Sequence, residues 1–352
     1  MDSKKRNSNI DFYRGIAAIG IISIHTAFWT GEAYCPMWFK SLTLLVDVPL
    51  FFFLSGKSAL YFEGNVMKTV KTLSKTWMKW IYSTTLIALF CLLTTLVTKG
   101  GGIEGVNSVR ELVDIYFFNG NFKALPAVGG SAWFMPYYFM VLFVNQVILC
   151  HITRYYQNGE KNYTLYLLIL YIWVATEHDF FGVDKTFLFY SFFWMLGIIG
   201  CNIVIIDVRK LAAMILGCII LYLFTVYYSG IPIWDLQIAK FPPQLPYFFW
   251  SLFSVMLVVF FDKYITKPPF FLLHVGRNAI FYFAAQGVGT SSLYFFRRYI
   301  NVDIWFIRWI ISFVINLFVT VIVAEITAFT YNRIFYKYIH EMLKRLGIEG
   351  KM

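Results

Sequence analysis

Long apolar runs separated by short polar connections dominate this 352-residue chain. A helix rises about 1.5 Å per residue, so roughly 20 mostly apolar residues are needed to cross a bilayer. Runs that meet or approach this length lie near 10–30, 41–62, 80–98, 132–152, 163–176, 186–206, 211–229, 247–261, 270–296 and 304–331. The pattern predicts an all-α fold: a polytopic membrane helical bundle of about ten transmembrane helices, forming a single integral membrane domain over 1–352. No fixed-period repeat and no low-complexity linker interrupts it. The longest hydrophilic connection, 99–132, is glycine-rich, and a short amphipathic helix is predicted within it at 107–118, as a cap on the outer face.

Composition strengthens this picture. Hydrophobic residues make up 59% of the chain, aromatic residues 21% and charged residues 14%, against about 25% charged in soluble domains. The start resembles a signal peptide, but charges interrupt its apolar run and no small-x-small cleavage site follows, so the first segment is expected to be retained. The formal net charge of +11 raises the question of nucleic acid. The basic residues instead gather in alternate connections: Lys4, Lys5 and Arg6; Lys68, Lys71, Lys75 and Lys79; Arg154 and Lys161; Arg209 and Lys210; Lys263 and Lys267; and the tail from Arg333 to Lys351. This is the positive-inside bias, and it predicts cytoplasmic N- and C-termini, no nucleic-acid partner and contact with membrane lipids. Arg297, Arg298 and Arg308 run against it. Five cysteines show neither paired nor metal-ligand spacing and read as small apolar residues. Trp29, Trp38, Trp80, Trp133 and Trp305 fall near span ends, where indoles favour the headgroup region.

Candidate chemistry begins in the first span, DFYRGIAAIGIISIHTAFW, which carries Asp11, Arg14 and His25. At 100° per residue Asp11 and Arg14 lie about 60° apart, and Arg14 and His25 differ by roughly 20°, so the three share one face. Arg14 and His25 are about 16 Å apart along the axis. An ionised group at the bilayer centre costs on the order of 3 kcal/mol even on the mildest scale, so this face is expected to line an interior path. The plainer alternative has Asp11 and Arg14 reaching to the inner headgroups and His25 bonding a neighbouring helix.

The second span, LLVDVPLFFFLSGKSALYF, places Asp47 at roughly the depth of His25 and Lys57 near that of Arg14. An Asp47–His25 pair would fix the imidazole tautomer for a general base; a carboxylate bonded to another helix is the alternative. Pro49 removes a backbone donor and predicts a kink with a cavity nearby. Lys57, Lys71, Lys75 and Lys79 suit a polyanionic ligand at the inner mouth, or equally anionic lipid. Asn145, Gln146 and Glu325 are expected to face the interior, Glu325 as a partner of Arg277 or Arg14. His178 sits with Glu177, Asp179 and Asp184 in an acidic outer loop.

Four stretches together resemble the acyltransferase-3 family of integral membrane acyltransferases. They are YRGIAAIGIISIHT, with Arg14-x10-His25; VPLFFFLSGKSAL, an aromatic run ending in Ser55-Gly56; the basic approach to the third span; and SAWFMPYYFMVLF. A fifth, HVGRNAIFYFAAQG, matches in Gly276 and Arg277 but has Ala279, Phe283 and Gln286 where serine, tyrosine and histidine are common in the family. Many members also carry an aspartate where this chain has Pro49, two positions after Asp47.

The resemblance implies an acetyl-CoA-dependent O-acetyltransferase of the cell envelope, multi-pass in a bacterial inner or plasma membrane. Acyl-CoA is the donor substrate, a surface polysaccharide or lipid-linked oligosaccharide the acceptor, and no metal or prosthetic group is expected. On this reading Arg14, Lys57, Lys71, Lys75, Lys79 and Arg277 hold the donor. His25 with Asp47 performs the chemistry, directly or through an acyl relay. Ser55, as an oxyanion donor, and Trp133 and Tyr137, stacking on a sugar, contact the substrate; the alternatives are a serine bonded to its own helix backbone and two rings of the interfacial aromatic belt. A glycan transporter or flippase without acyl transfer is the competing class, disfavoured by the lack of an inverted repeat and of paired broken spans. Oligomeric state stays open.

Overall fold

A computed structural model describes residues 7–28, 34–59, 66–97, 109–117, 133–155, 165–172, 184–200, 208–296 and 299–338. These residues are helical with no strand. We number the helices α1 (Ser8–Phe28), α2 (Met37–Thr43), α3 (Val48–Ala59), α4 (Val66–Val97), α5 (Val109–Tyr116), α6 (Met135–Tyr155), α7 (165–172), α8 (Lys185–Gly200), α9 (Val208–Ser229), α10 (Leu245–Asp262), α11 (Phe270–Arg277), α12 (Ala279–Phe296) and α13 (Trp305–Thr330). Among the described residues, five stretches are long and apolar enough to cross a membrane: Met37–Ala59, Val66–Leu93, Val208–Ser229, Leu245–Asp262 and Trp305–Tyr338.

The exposed surface supports a membrane setting. On α9, Leu216, Ile220, Phe224, Tyr227 and Tyr228 are all exposed. A contiguous apolar face of this kind is rare on a soluble monomer and suits lipid. This is a membrane protein built from helices.

The chain forms two compact units. The first comprises 1–27, 33–69 and 137–277; the second comprises 28–32, 70–136 and 278–352. In the first, close helix contacts depend on glycine. A Cβ on Gly56 of α3 would run into the Trp194 carbonyl of α8, and one on Gly197 into the Phe53 carbonyl. Small residues let backbones approach, which is how helices pack where lipid supplies no hydrophobic drive. Around this contact aromatic rings fill the core: Phe52 stacks on Tyr190 at 4.3 Å, Phe189 on Tyr247 at 5.3 Å and Tyr171 on Phe248 at 5.0 Å. Gly276 of α11 meets the Asp11 carbonyl of α1 in the same backbone-to-backbone way.

In the second unit hydrogen bonds join α12 to α13. Asn316 Nδ2 donates to Thr290 Oγ1 at 3.1 Å across the pair, while within α13 Thr320 Oγ1 donates to Asn316 Oδ1 at 3.1 Å. The Tyr282 hydroxyl donates to Glu325 Oε1 at 2.6 Å. The short amphipathic helix expected at 107–118 is α5, whose Ile115 and Tyr116 carbonyls accept from the indole N–H groups of Trp80 and Trp77.

Several boundaries differ from the hydropathy windows. The second window is interrupted at Leu44–Val46, a 3-10 turn, followed by Asp47 in an extended conformation. Pro49 cannot donate to the carbonyl one turn back, so α3 restarts at Val48 with the proline in its first turn, where no donor is needed. The ninth window splits into α11 and α12 at Asn278. The third begins at Val66, because the lysine run contains no glycine or proline to stop a helix. Trp80, expected at a headgroup boundary, is fully buried, because its indole N–H reaches the Ile115 carbonyl. Trp29, Arg297, Arg298 and the His178 loop over 173–183 lie outside the described residues.

Candidate active site

Two polar clusters occupy the two ends of α1 within the first unit. Near its start, Asp11 is 1% exposed. Its carboxylate faces Arg277 Nε at 3.5 Å and Arg14 Nη1 at 3.9 Å. Arg14 Nη2 also donates to Ser58 Oγ at 2.8 Å, and that hydroxyl donates to the Leu54 carbonyl. The close approach at Gly276 carries Arg277 to Asp11 across 266 residues of sequence. Asp11 is therefore a shared anchor for two guanidinium groups and does not reach out to headgroups.

Beside it, Lys57 Nζ binds Asp262 Oδ2 at 2.6 Å. Asn9 Nδ2 donates to Asp262 Oδ1 at 3.1 Å, and to the carbonyls of Asp262 and Ile265 at 3.3 Å. Lys57 thus joins the end of α3 to the end of α10. Its charge is matched by a carboxylate, whereas Arg277 keeps its side chain half exposed.

The second cluster surrounds His25, which is buried. Asp47 Oδ2 receives Lys240 Nζ at 2.7 Å and the Tyr247 hydroxyl at 2.7 Å, while Oδ1 accepts the Val48 N–H at 2.7 Å. His25 lies within electrostatic range of both Lys240 and Asp47, and Tyr190 within range of Asp47. The kink at Leu44–Asp47 turns this carboxylate into the bundle, as the proline position predicts. The partners that fill its coordination are an ammonium and a phenol.

Lys240 arrives on a loop that hydropathy reads as a plain connection. Residues 230–244 fold back onto the helices: Ser41 Oγ donates to the Trp234 carbonyl at 2.5 Å and accepts from Leu236 N–H at 3.2 Å. The Tyr222 hydroxyl donates to the Ile233 carbonyl. Leu236 and Ala239 are buried, and the Lys240 ammonium lies 5.3 Å from the Phe241 ring centre and 6.0 Å from that of Tyr247. One signal in the sequence pointed here, a lone lysine inside the apolar run IAKFPPQLPYF. Asp262, at the end of an apolar span, carries no comparable signal in the sequence.

The other expected residues are dispersed. Ser55 is buried on α3 directly before the Gly56 contact. Tyr137 is half-buried in the first unit, its ring 6.3 Å from Tyr190, and its hydroxyl bonds Asp184. Trp133 belongs to the second unit and packs on Phe134 at 6.1 Å. Lys71 and Lys75 are exposed on α4 in the second unit, and Lys79 Nζ lies 5.5 Å from the Phe281 ring centre. Asn145 and Gln146 are buried, as expected for amides inside a span. Glu325 bonds Tyr282, and Arg277 takes Asp11 as its carboxylate. Among the described residues no group of three or more His, Cys, Asp or Glu is arranged to hold a metal.

Comparison with known protein families, with curated proteins and with solved structures gives no match to this chain.

Proposed function

We propose that this chain is a multi-pass O-acyltransferase of the bacterial cell membrane, with about ten spans and cytoplasmic termini, moving an acetyl group from acetyl-CoA to a glycan hydroxyl. One observation supports this reading above the others. Arg14 and His25, on one face of α1, are each built into a polar cluster around a buried carboxylate, one with two guanidinium groups and the other with an imidazole beside an ion pair. A cationic grip at one end and a base at the other is the layout a phosphate-bearing thioester needs.

Arg14 and Arg277 hold the donor phosphates, and Arg277 is the more accessible of the two. Lys71 and Lys75, exposed on α4, offer a basic surface to an anion or to lipid headgroups. Lys57, matched with Asp262, acts in holding α3 to α10. At the other cluster His25 takes the proton of the acceptor hydroxyl as its oxygen attacks the thioester carbonyl carbon. The new C–O bond forms, the C–S bond breaks, and the sulfur leaves with the electron pair and receives that proton from the imidazolium. The products are the ester and free CoA. Asp47 is occupied by Lys240 and Tyr247, so it keeps an ammonium beside His25 in addition to any hold on the ring. In the first unit Tyr137 is a stacking surface for the acceptor, and Ser55 supplies a hydroxyl near the α3 contact.

The test is acetyl transfer by purified protein from radiolabelled acetyl-CoA to envelope glycan. His25→Gln is expected to lower the rate by about 10²- to 10⁴-fold with CoA binding retained. Transfer at near wild-type rate in that variant removes the base assignment. Wild-type protein that moves glycan but binds no CoA is a transporter or flippase.

A further inference from the structure

His25 is buried, yet the acceptor hydroxyl has to reach it. The segment that closes on its cluster is 230–244, which brings Lys240 to Asp47. This segment is folded on itself: the Asp235 N–H donates to the Pro232 carbonyl at 2.9 Å, Ile238–Lys240 form a 3-10 turn, and the Gln244 N–H donates to the Ala239 carbonyl at 2.8 Å. Its two sides differ. Leu236, Ala239 and Lys240 are buried, while Ile233, Trp234, Ile238 and Phe241 are exposed. Surface loops packed by their own side chains are frequently functional. At the start of this one Gly230 has φ +68, a conformation that favours glycine, and a Cβ there would meet nothing within 4 Å. A position of that kind, at the end of α9, can absorb the backbone rotation of a hinge.

Side chains from elsewhere hold the segment down: Ser41 of α2 at Trp234 and Leu236, Tyr222 of α9 at Ile233, and Asp47 at Lys240. At the far end Pro243 accepts from the Tyr171 hydroxyl of α7 at 3.3 Å. Lifting the segment strips the buried Asp47 carboxylate of its counter-charge, which is costly unless another group takes it over. His25 lies within electrostatic range of Lys240 and Asp47 alike. A ring N–H donated to a carboxylate is also what fixes an imidazole for work as a base. We propose that residues 230–244 are a lid over the His25 site, latched by Lys240 on Asp47, and that opening it turns the Asp47 carboxylate from Lys240 to His25. This regulation rests on the acyl-transfer reading. Closed, the lid engages Asp47 elsewhere and keeps water from the thioester. Open, it admits the acceptor to a base that Asp47 orients.

The experiment removes the hydroxyl staples and no charge, in Ser41→Ala/Tyr222→Phe. Modification of His25 by diethyl pyrocarbonate and of Lys240 by an amine-reactive ester is followed by peptide mapping in wild type and variant. Both reagents read the open fraction, so both rates are expected to rise together by about tenfold. Tyr222→Phe alone, the milder change, gives the same pattern at about threefold. Without acceptor, acetyl-CoA hydrolysis rises by the same factor as the labelling. The water oxygen bonds the acetyl carbon, the C–S bond breaks, and the imidazole passes the water proton to the sulfur, giving acetic acid and CoA. Adding Asp47→Asn keeps the fast labelling and removes the hydrolysis gain, because the ring loses its orienting carboxylate. Unchanged rates at both residues, or a faster Lys240 beside an unchanged His25, overturn the lid. Fast labelling with no extra hydrolysis in a variant that still transfers acetyl overturns its role as guard of the thioester. A hydrolysis gain that survives Asp47→Asn overturns the exchange of partners. If wild type and variants neither hydrolyse acetyl-CoA nor transfer its acetyl group, the acyl-transfer reading ends, and the two labelling rates then decide the lid alone.

Discussion

Removing either member of the Asp47–Lys240 pair is expected to destabilise the protein far more than removing both. The carboxylate is 2% exposed and the lysine 5%, and their charged atoms meet at 2.7 Å. In Lys240→Met, Asp47 keeps the Tyr247 hydroxyl and the Val48 N–H but loses its counter-charge. In Asp47→Leu the ammonium loses the carboxylate it faces, and Tyr247 loses its acceptor. Breaking a buried pair from one side costs about 3–5 kcal/mol, whereas replacing both partners by apolar groups is close to neutral or stabilising. If the two single losses are each near 4 kcal/mol, an additive double variant would lose about 8 kcal/mol. The double variant Asp47→Leu/Lys240→Met is expected to lose less than about 2 kcal/mol, giving a coupling of about 6 kcal/mol. The assay is denaturant unfolding in detergent, followed by circular dichroism for wild type, both single variants and the double variant. Single variants that unfold with wild type, or a double variant that shows the full sum, refute the buried pair. Acyl transfer adds a second readout. The double variant, folded but without an ammonium beside His25, is expected to transfer more slowly at unchanged CoA affinity, because the affected step is chemistry and not donor capture.

Other outcomes follow from single contacts. Gly56→Ala drives a Cβ into the Trp194 carbonyl, a backbone atom that cannot swing aside, and is expected to cost about 1–3 kcal/mol in thermal unfolding. Gly217→Ala, with open space around the site on α9, is expected to gain up to about 1 kcal/mol from helix propensity in the same measurement. Arg277→Ala, at a half-exposed position, should change unfolding by less than about 1 kcal/mol while weakening CoA binding about tenfold in a titration. Lys57→Met should show the reverse, losing about 1–3 kcal/mol of stability with donor affinity intact. Burial pushes the Cys35 thiol from 9.0 up to about 11. Below that pH the thiol stays protonated, so maleimide labelling near pH 8 should run about 100-fold slower than at an ordinary thiol and rise about tenfold per pH unit toward 11. Labelling already at full rate near pH 9 refutes the burial.

The helical class was legible because lipid forces backbone groups to pair within each segment, and apolar runs of the required length can then be read from the chain. The inward turn of His25 was legible for a related reason: a polar group deep in an apolar helix has nowhere to go but the interior. That of Asp11 was not, because a carboxylate near a span end has headgroups within reach as well. The break before Pro49 was local chemistry. Partner identity was not legible, because it depends on which segments meet. Asp11 with Arg277, Lys57 with Asp262 and Asp47 with Lys240 join positions roughly 200 or more residues apart. Each carboxylate is paired through a helix contact or a folded loop that no periodicity encodes.

Lys240 shows why hydropathy fails most at loops. A span announces itself by composition, but residues 230–244 carry prolines, polar residues and two charges, the marks of an exposed connection. What buries them is a set of bonds made elsewhere: Ser41 on α2 holds Trp234 and Leu236, and Tyr222 on α9 holds Ile233. Once those bonds fix the loop, its lysine has no route to water and Asp47 becomes its partner. The dependence runs both ways. Without a cation from the loop, a carboxylate at the kink would face desolvation with only a phenol and one backbone amide to offset it. Loop and kink are therefore one structural element, and His25 sits in the field of both. Ser41→Ala tests this coupling at a distance. It removes no charged group, yet it should loosen the loop and expose Lys240 to amine-reactive reagents that leave the wild-type side chain unmodified. Equal reactivity at Lys240 in the two proteins would mean that the ion pair, and not the Ser41 staple, holds the loop in place.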